Sequence, residues 1–285
     1  MDPFYKVADS SDFQRTIKRS IEVSGRAFRW FKDSTKVRFL PSEKQGLLFK
    51  IGGEEILVTS RNVTFDEKHC TTLKTKTAYV RETEHVLSAV SGLGITNLII
   101  EVEGVPEPPI MDGSAKDFVD ALLVAGLQDL SRKRREVVII RDFRFSLPQG
   151  DSLIEVIPAD TWSISMNVAF PNPIGEQSLC LTVTPELYEK EIAFARSPLR
   201  CSVEETTPEQ LHEWFAGYEE SKDAILLYSK EKYLTPLRAS DEVVRHKLLD
   251  FIGDMANVGL PIRGAFNCFK VGHKINGEFV KMFAI

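Results

Sequence analysis

Twice along its length the chain passes through several short β-branched segments and then into a helical one. That order of periodicities narrows its fold more than any other feature. In the first pass, residues 16–23, 34–39, 46–51 and 55–60 have strand-like composition between turn-like borders. A helix is predicted over 83–91, a strand over 97–102 and a closing helix over 115–127, where Phe118, Leu122, Leu123 and Leu127 recur at helical spacing. In the second pass strands are predicted at 137–146, 152–158, 162–169 and 178–184, and a helix at 240–258. A sheet with one apolar face needs a layer of helices to cover it. The order therefore predicts an α+β fold of two similar two-layer α/β sandwich domains, each a sheet packed on helices. The basic hexapeptide Ser131-Arg-Lys-Arg-Arg-Glu136 reads as a solvated linker between them, giving domains at 14–131 and 132–285.

The 240–258 helix carries the clearest chemical pattern. Ser240 is placed to cap it, with Asp241 and Glu242 favourable in the first turn. Val244, Leu248, Phe251 and Met255 form the apolar stripe of a core-facing helix, while His246, Asp250 and Asp254 fall at i, i+4 and i+8 and project in a row. An imidazole and a carboxylate one turn apart, ~5–6 Å at Cβ, can both reach one divalent metal. The same spacing also describes a plain solvated helix face. A second pairing, Glu84 beside His85, stands at the start of the 83–91 helix. Neighbouring helical side chains diverge by ~100°, so the histidine can touch a metal while the glutamate reaches a water beside it. A glutamate there also stabilises a helix N-terminus through the dipole alone. His273 follows a glycine where an apolar run ends, either at a strand leaving the core or in an exposed loop. Ile110-Met-Asp-Gly-Ser114 reads as a tight turn feeding a helix, with no chemistry required of it.

Composition removes some classes of function. With 43% apolar and 27% charged residues the chain is that of a soluble globular protein, and a net charge of -5 argues against nucleic-acid binding driven by phosphate neutralisation. Cys70, Cys180, Cys201 and Cys268 are scattered without a C-x-x-C pair and read as reduced thiols. No basic segment followed by an apolar run opens the sequence, and the uncharged stretch 86–100 is too short to span a bilayer. The expected location is the cytoplasm.

Four motifs occur in one order: Thr83-Glu-His-Val-Leu-Ser-Ala-Val-Ser-Gly-Leu-Gly-Ile-Thr-Asn97, Ile110-Met-Asp-Gly-Ser-Ala115, Val244-Arg-His-Lys-Leu-Leu-Asp-Phe-Ile-Gly-Asp254, and Gly264-Ala-Phe followed by Lys270-Val-Gly-His-Lys-Ile-Asn276. In that combination, from about residue 15 to the C-terminus, the chain resembles the UDP-3-O-acyl-N-acetylglucosamine deacetylase (LpxC) family, zinc amidases of lipid A biosynthesis. The resemblance implies a Zn2+ cofactor held by His85, His246 and Asp250, with a fourth position left for water. It implies Glu84 as general base, and His273 held by Asp254 as the charged partner of the oxyanion or the leaving amine. Lys247 matches a lysine near the substrate, and Ser197 stands where the family carries a threonine whose hydroxyl supports the oxyanion. The implied active site lies between the two domains, and the implied reaction removes acetate from a UDP-linked acylated amino sugar. The expected protein is a monomer that binds no nucleic acid and meets a membrane surface transiently through its lipid substrate.

Departures from the family fall around the substrate. Arg29 replaces the histidine of an N-terminal glycine-rich turn, and Arg81-Glu82-Thr83 adds charge before the Glu-His pair. Pro198-Leu-Arg200 replaces an aromatic-glycine-aromatic triplet, and Trp214-Phe-Ala-Gly-Tyr-Glu-Glu-Ser221 a glycine-rich insert. Two alternatives follow: the same chemistry on a different N-acetylated amino sugar, or a catalytically silent regulatory relative.

Overall fold

The computed structural model describes residues 3–28, 33–65, 70–200 and 225–285. His69, Cys201, His212, Arg29 and the 214–221 stretch lie outside the described residues. Strand β1 (Tyr5–Ile17) is followed by β2 (Ile21–Arg26), β3 (Ser34–Pro41), β4 (Gly46–Ile51) and β5 (Glu54–Leu57). The single strand expected over 16–23 is thus two, because the chain bends at residues 18–19. Three short strands, β6 (Val63–Phe65), β7 (Thr71–Lys74) and β8 (Tyr79–Val80), form a small antiparallel sheet ahead of helix α1 (Glu84–Gly92).

Strand β9 (Asn97–Gly104) enters the middle of a five-stranded sheet ordered β2-β3-β9-β4-β5, antiparallel to β3 and parallel to β4. Alternation puts Val37 and Phe39 of β3 and their partners Val102 and Ile100 of β9 on one buried face. Helix α2 (Lys116–Ala125) covers that face, with the Phe118 ring edge-on to Phe39 at 6.3 Å.

The second sheet begins with a correction. The basic hexapeptide 131–136 is no linker; it is the middle of β10 (Leu127–Ile139), which runs antiparallel to β1. Its charges have partners on that neighbour: Arg134 pairs with Asp12 at 2.8 Å, and the Lys133 ammonium stands 3.7 Å over the Phe13 ring. After β10 come β11 (Phe143–Ser146), β12 (Leu153–Ile157), β13 (Trp162–Ala169), β14 (Glu176–Thr182), helix α3 (Pro185–Glu191) and the short parallel pair β15 (Pro198–Arg200) and β16 (Leu226–Tyr228). Helix α4 (Glu242–Ala256), strand β17 (Ile262–Phe269) and helix α5 (His273–Val280) complete the described chain. Strand β17 is the hub of a curled seven-stranded sheet. Ile262 and Arg263 pair with β10, and from Gly264 onward the strand lies between β12 and β13.

Helix α4 begins at Glu242, with Asp241 rather than Ser240 in the capping position and no side-chain cap bond. Only Arg245 and Lys247 of its residues escape burial. Val244, Leu248, Phe251 and Met255 do face the core, each contributing roughly 1.5–3 kcal/mol of hydrophobic stabilisation. The opposite face is buried as well, against α1, so this helix has no solvated side. Gly253 permits that approach, since a Cβ there would stand 2.0 Å from the backbone oxygen of Glu84. Two hydrogen bonds tie the crossing: Ser88 Oγ donates to the Leu249 carbonyl at 2.7 Å, and the Tyr188 hydroxyl donates to Ser88 Oγ at 2.8 Å. The result is the expected α+β arrangement, sheet on helices facing helices on sheet, with the polar row of α4 enclosed where the helical layers meet. No helix among the described residues is long and apolar enough to cross a membrane.

Candidate metal centre and active site

Five ionisable side chains, Glu84, His85, His246, Asp250 and Asp254, are buried at this helical crossing. Burying so many charges is costly unless each is paired or bound to a cation. Their partners fall into two connected groups.

The first group is His85, His246 and Asp250, whose ligand atoms all lie within 4.8 Å of one another. Asp250 Oδ1 is 3.2 Å from His246 Nε2 and 3.8 Å from His85 Nε2. The tautomer of His246 is fixed by its other nitrogen, which sits 3.0 Å from the Ala195 carbonyl. A carbonyl only accepts, so Nδ1 carries a proton and Nε2 is the nitrogen that faces Asp250. Burial, reinforced by the neighbouring His246, pushes the His85 imidazole down to about 3, so it is neutral and able to ligate. Asp250 is held well below the usual carboxylate range: burial works against this, but His246, Lys247 and His273 outweigh it. Its Oδ1 is a buried acceptor with no hydrogen-bond partner. Three ligand atoms thus converge, one of them an oxygen without a hydrogen-bond partner, and the donor set of two imidazoles and one carboxylate suits a zinc-like divalent cation.

The second group stands beside it. His273, the first residue of α5, donates Nδ1–H to Asp254 Oδ2 at 2.9 Å. Asp254 also accepts from Thr71 Oγ1 at 2.5 Å and from Asn276 Nδ2 at 2.8 Å. Burial lowers the basicity of His273, but the charges of Asp254 and Asp250 outweigh it and raise the imidazole to about 10. Its Nε2 faces Asp250 Oδ2 at 3.7 Å and Glu84 Oε1 at 3.9 Å. Glu84 is pushed well above the usual carboxylate range, by burial first and then by the charge of Glu82. Its other oxygen accepts the Thr71 backbone N–H at 3.1 Å. One side of the cluster therefore holds a carboxylate pushed well above its usual range and the other an imidazolium, a pairing suited to acid–base work.

All the residues expected from sequence come together here. Ser197 Oγ lies 3.2 Å from His246 Nε2 and 3.5 Å from His85 Nε2, at the ligand cluster itself. Lys247 Nζ donates to Asp250 Oδ2 at 2.6 Å, so the structure seats it on the carboxylate. Four residues were not expected: Thr71, Asn276, Arg196 and Glu242. Asn276 had a signal, since it sits at i+3 from His273 on one helix face. Thr71 had none, being brought to the site only by the pairing of β7. The Asp112-Gly-Ser turn is structural as read, with Ser114 N–H on Asp112 Oδ1 at 2.9 Å and Gly113 at φ +80°. Among the described cysteines, Cys70, Cys180 and Cys268 form no disulfide.

Comparison with known proteins agrees with this geometry. The model of the LpxC family, UDP-3-O-acyl N-acetylglycosamine deacetylase, matches residues 14–284. The chain is 36% identical over 277 residues to the UDP-3-O-acyl-N-acetylglucosamine deacetylase of Nitratidesulfovibrio vulgaris, covering 94% of this chain and 87% of that protein. It is 35% identical to the protein of that name from Syntrophus aciditrophicus, covering 94% and 85%. For the Brucella melitensis protein of the same name the identity is 32%, with 94% of each chain covered. With a family match from the first sheet to the last helix and relatives of nearly equal extent, the chain belongs to the UDP-3-O-acyl N-acetylglycosamine deacetylase (LpxC) family.

Proposed function

We propose that this protein is a zinc-dependent amide hydrolase that removes acetate from UDP-3-O-acyl-N-acetylglucosamine, a step of lipid A biosynthesis. The observation that carries the metal is the buried Asp250 Oδ1, which has no hydrogen-bond partner and faces two imidazole nitrogens. His85, His246 and Asp250 would hold the ion. Zinc so held supplies Lewis-acid polarisation of the acetamide carbonyl and makes water acidic enough to attack it near neutral pH.

The remaining work belongs to side chains. Glu84 takes a proton from the attacking water as the oxygen joins the carbonyl carbon. The same proton is then available to the nitrogen as the C–N bond breaks, leaving acetate and a free 2-amino sugar. His273, kept cationic by Asp254, faces the developing oxyanion or the leaving amine, and the Ser197 hydroxyl adds a donor on the same side. Lys247 neutralises Asp250 until substrate draws its ammonium away. The enzyme acts as a cytoplasmic monomer that binds no nucleic acid, and the acyl chain of its substrate brings it transiently to a membrane surface. Its two units divide at Gly126, between α2 and β10, with β1 returned to the second sheet.

The test is zinc content together with acetate release from UDP-3-O-acyl-N-acetylglucosamine, comparing wild type with His246→Ala. One zinc per chain and turnover, both lost in the variant, is the expected result. Zinc without acetate release would move the substrate to another N-acetylated amino sugar, and absence of zinc binding would overturn the reading.

A further inference from the structure

The loop between α3 and β15 makes two contacts with the metal cluster: the Ala195 carbonyl fixes His246, and the Ser197 hydroxyl touches both histidines. Loops position side chains less accurately than helices do, so something must hold this one in register. We infer that the buried Arg196–Glu242 ion pair is the positioning device that keeps Ala195 and Ser197 on the metal site. The inference rests on the metal reading above.

Arg196 is 1% exposed and Glu242 0%. The guanidinium meets the carboxylate through both oxygens, Nε to Oε1 at 2.8 Å and Nη2 to Oε2 at 3.0 Å, and the Arg196 backbone N–H adds a third bond to Oε1 at 3.1 Å. Glu242 lies on α4 one turn before His246, so a single helix carries both the ligand and the anchor of the loop that orients it. The pair is itself braced. Nη2 donates to the Pro236 carbonyl at 2.6 Å, and the Arg238 N–H donates to Glu242 Oε2 at 2.7 Å.

The far side of the loop is seated on the Asp112-Gly-Ser turn. Ser197 N–H donates to the Gly113 carbonyl at 2.9 Å, and Ala115 N–H donates to the Ala193 carbonyl at 3.0 Å. Arg238 closes the seat, with Nη1 on Asp112 Oδ2 at 2.6 Å and on the Phe194 carbonyl at 2.9 Å. A buried ion pair is a poor way to gain stability, because apolar residues of similar volume serve as well or better. A two-pronged guanidinium–carboxylate contact adds direction, which is what a loop carrying a metal-site carbonyl needs. Groups that orient metal-ligating histidines typically change metal affinity about 10–100-fold when lost.

The experiment compares wild type with Glu242→Gln, Arg196→Lys and the double variant Arg196→Met/Glu242→Gln, which leaves no unpaired buried charge. Three readouts are taken: zinc affinity by chelator competition, the visible spectrum of the cobalt-loaded protein, and the His246 Nδ1–H resonance of the metal-free protein. Zinc affinity is expected to fall about 10–100-fold. The cobalt bands should shift, and the imidazole proton should exchange with solvent even before metal is added. Folded variants with wild-type values in all three would overturn the proposal. So would failure of every variant to fold, which would assign the pair to overall stability. Failure of the metal reading is distinguishable, because it shows in wild type as no zinc bound.

Discussion

Gly253→Ala tests the helix crossing on which the site depends. The added methyl would stand 2.0 Å from the Glu84 carbonyl oxygen, 2.8 Å from its carbon and 3.0 Å from its Cα. All three are backbone atoms, so no rotamer change relieves the clash. Reaching even the 3.0 Å that real Cβ atoms respect requires α1 to retreat by about 1 Å. Alanine gains about 1 kcal/mol of helix propensity over glycine, whereas overpacking costs roughly 1–3 kcal/mol, so the net sign is destabilising by up to about 2 kcal/mol. For a chain of this size that lowers Tm by several degrees, at roughly 2–4 °C per kcal/mol. The larger effect falls on chemistry. Glu84 and His85 ride on α1 while Asp250 rides on α4, and a displacement of about 1 Å in such a constellation costs on the order of 100-fold in rate. Thermal unfolding, zinc competition and steady-state kinetics on one preparation separate the two effects. The expectation is a modest loss of Tm with a disproportionate loss of zinc affinity and kcat/KM. Wild-type zinc affinity and turnover in Gly253→Ala would refute the argument that this contact sets the ligand spacing.

Glu84→Gln keeps an acceptor for the Thr71 N–H but removes the proposed base, so zinc content should be unchanged while kcat falls by about 10²–10⁴, read by acetate release. Asp250→Ala removes one of the three proposed ligands and the carboxylate that Lys247 bonds; equilibrium dialysis should show zinc lost, and full retention would strike Asp250 from the ligand set. The pH dependence of kcat/KM should be bell-shaped. Activity falls as pH drops through the raised pKa of Glu84, which must be ionised to accept a proton, and falls again as pH rises toward the His273 value of about 10, where the imidazolium is lost. A cation at Asp250 lowers both limbs in the loaded enzyme, and a flat profile across neutral pH would exclude the pair.

The helix spacing of His246, Asp250 and Asp254 was legible because a one-turn repeat fixes which side chains share a face, whatever the rest of the chain does. The strands 162–169 and 46–51 were legible from strand-forming composition between turn-like borders, a local signal. Residues 131–136 misled because five charges in six positions suggest solvent, while the strand they form is specified by a partner distant in sequence, with Gln14 bonded to Lys133 across 119 positions. Ser240 looked like the cap because capping chemistry is local. The helix starts at Glu242 because that carboxylate is drawn inward to Arg196, a tertiary demand no local pattern announces. Thr71 was missed on the same ground: a threonine in a short strand becomes a partner of Asp254 only once two layers close.

The pairing of β1 with β10 also sets an order of events during synthesis. At ~5–20 residues per second, the 119 positions between Gln14 and its partner Lys133 take roughly 6–24 s to emerge from the ribosome. For that interval β1 exists without a neighbour on this edge, and an open strand edge is an aggregation hazard. Its sequence suits the wait. Asp9-Ser-Ser-Asp12 places charge and short polar side chains along the middle of the strand, and the register shifts between Asp9 and Phe13 interrupt the flat edge a stray strand would need. The same irregular stretch that hid β1 from a reading of the sequence thus guards the nascent chain until its partner arrives.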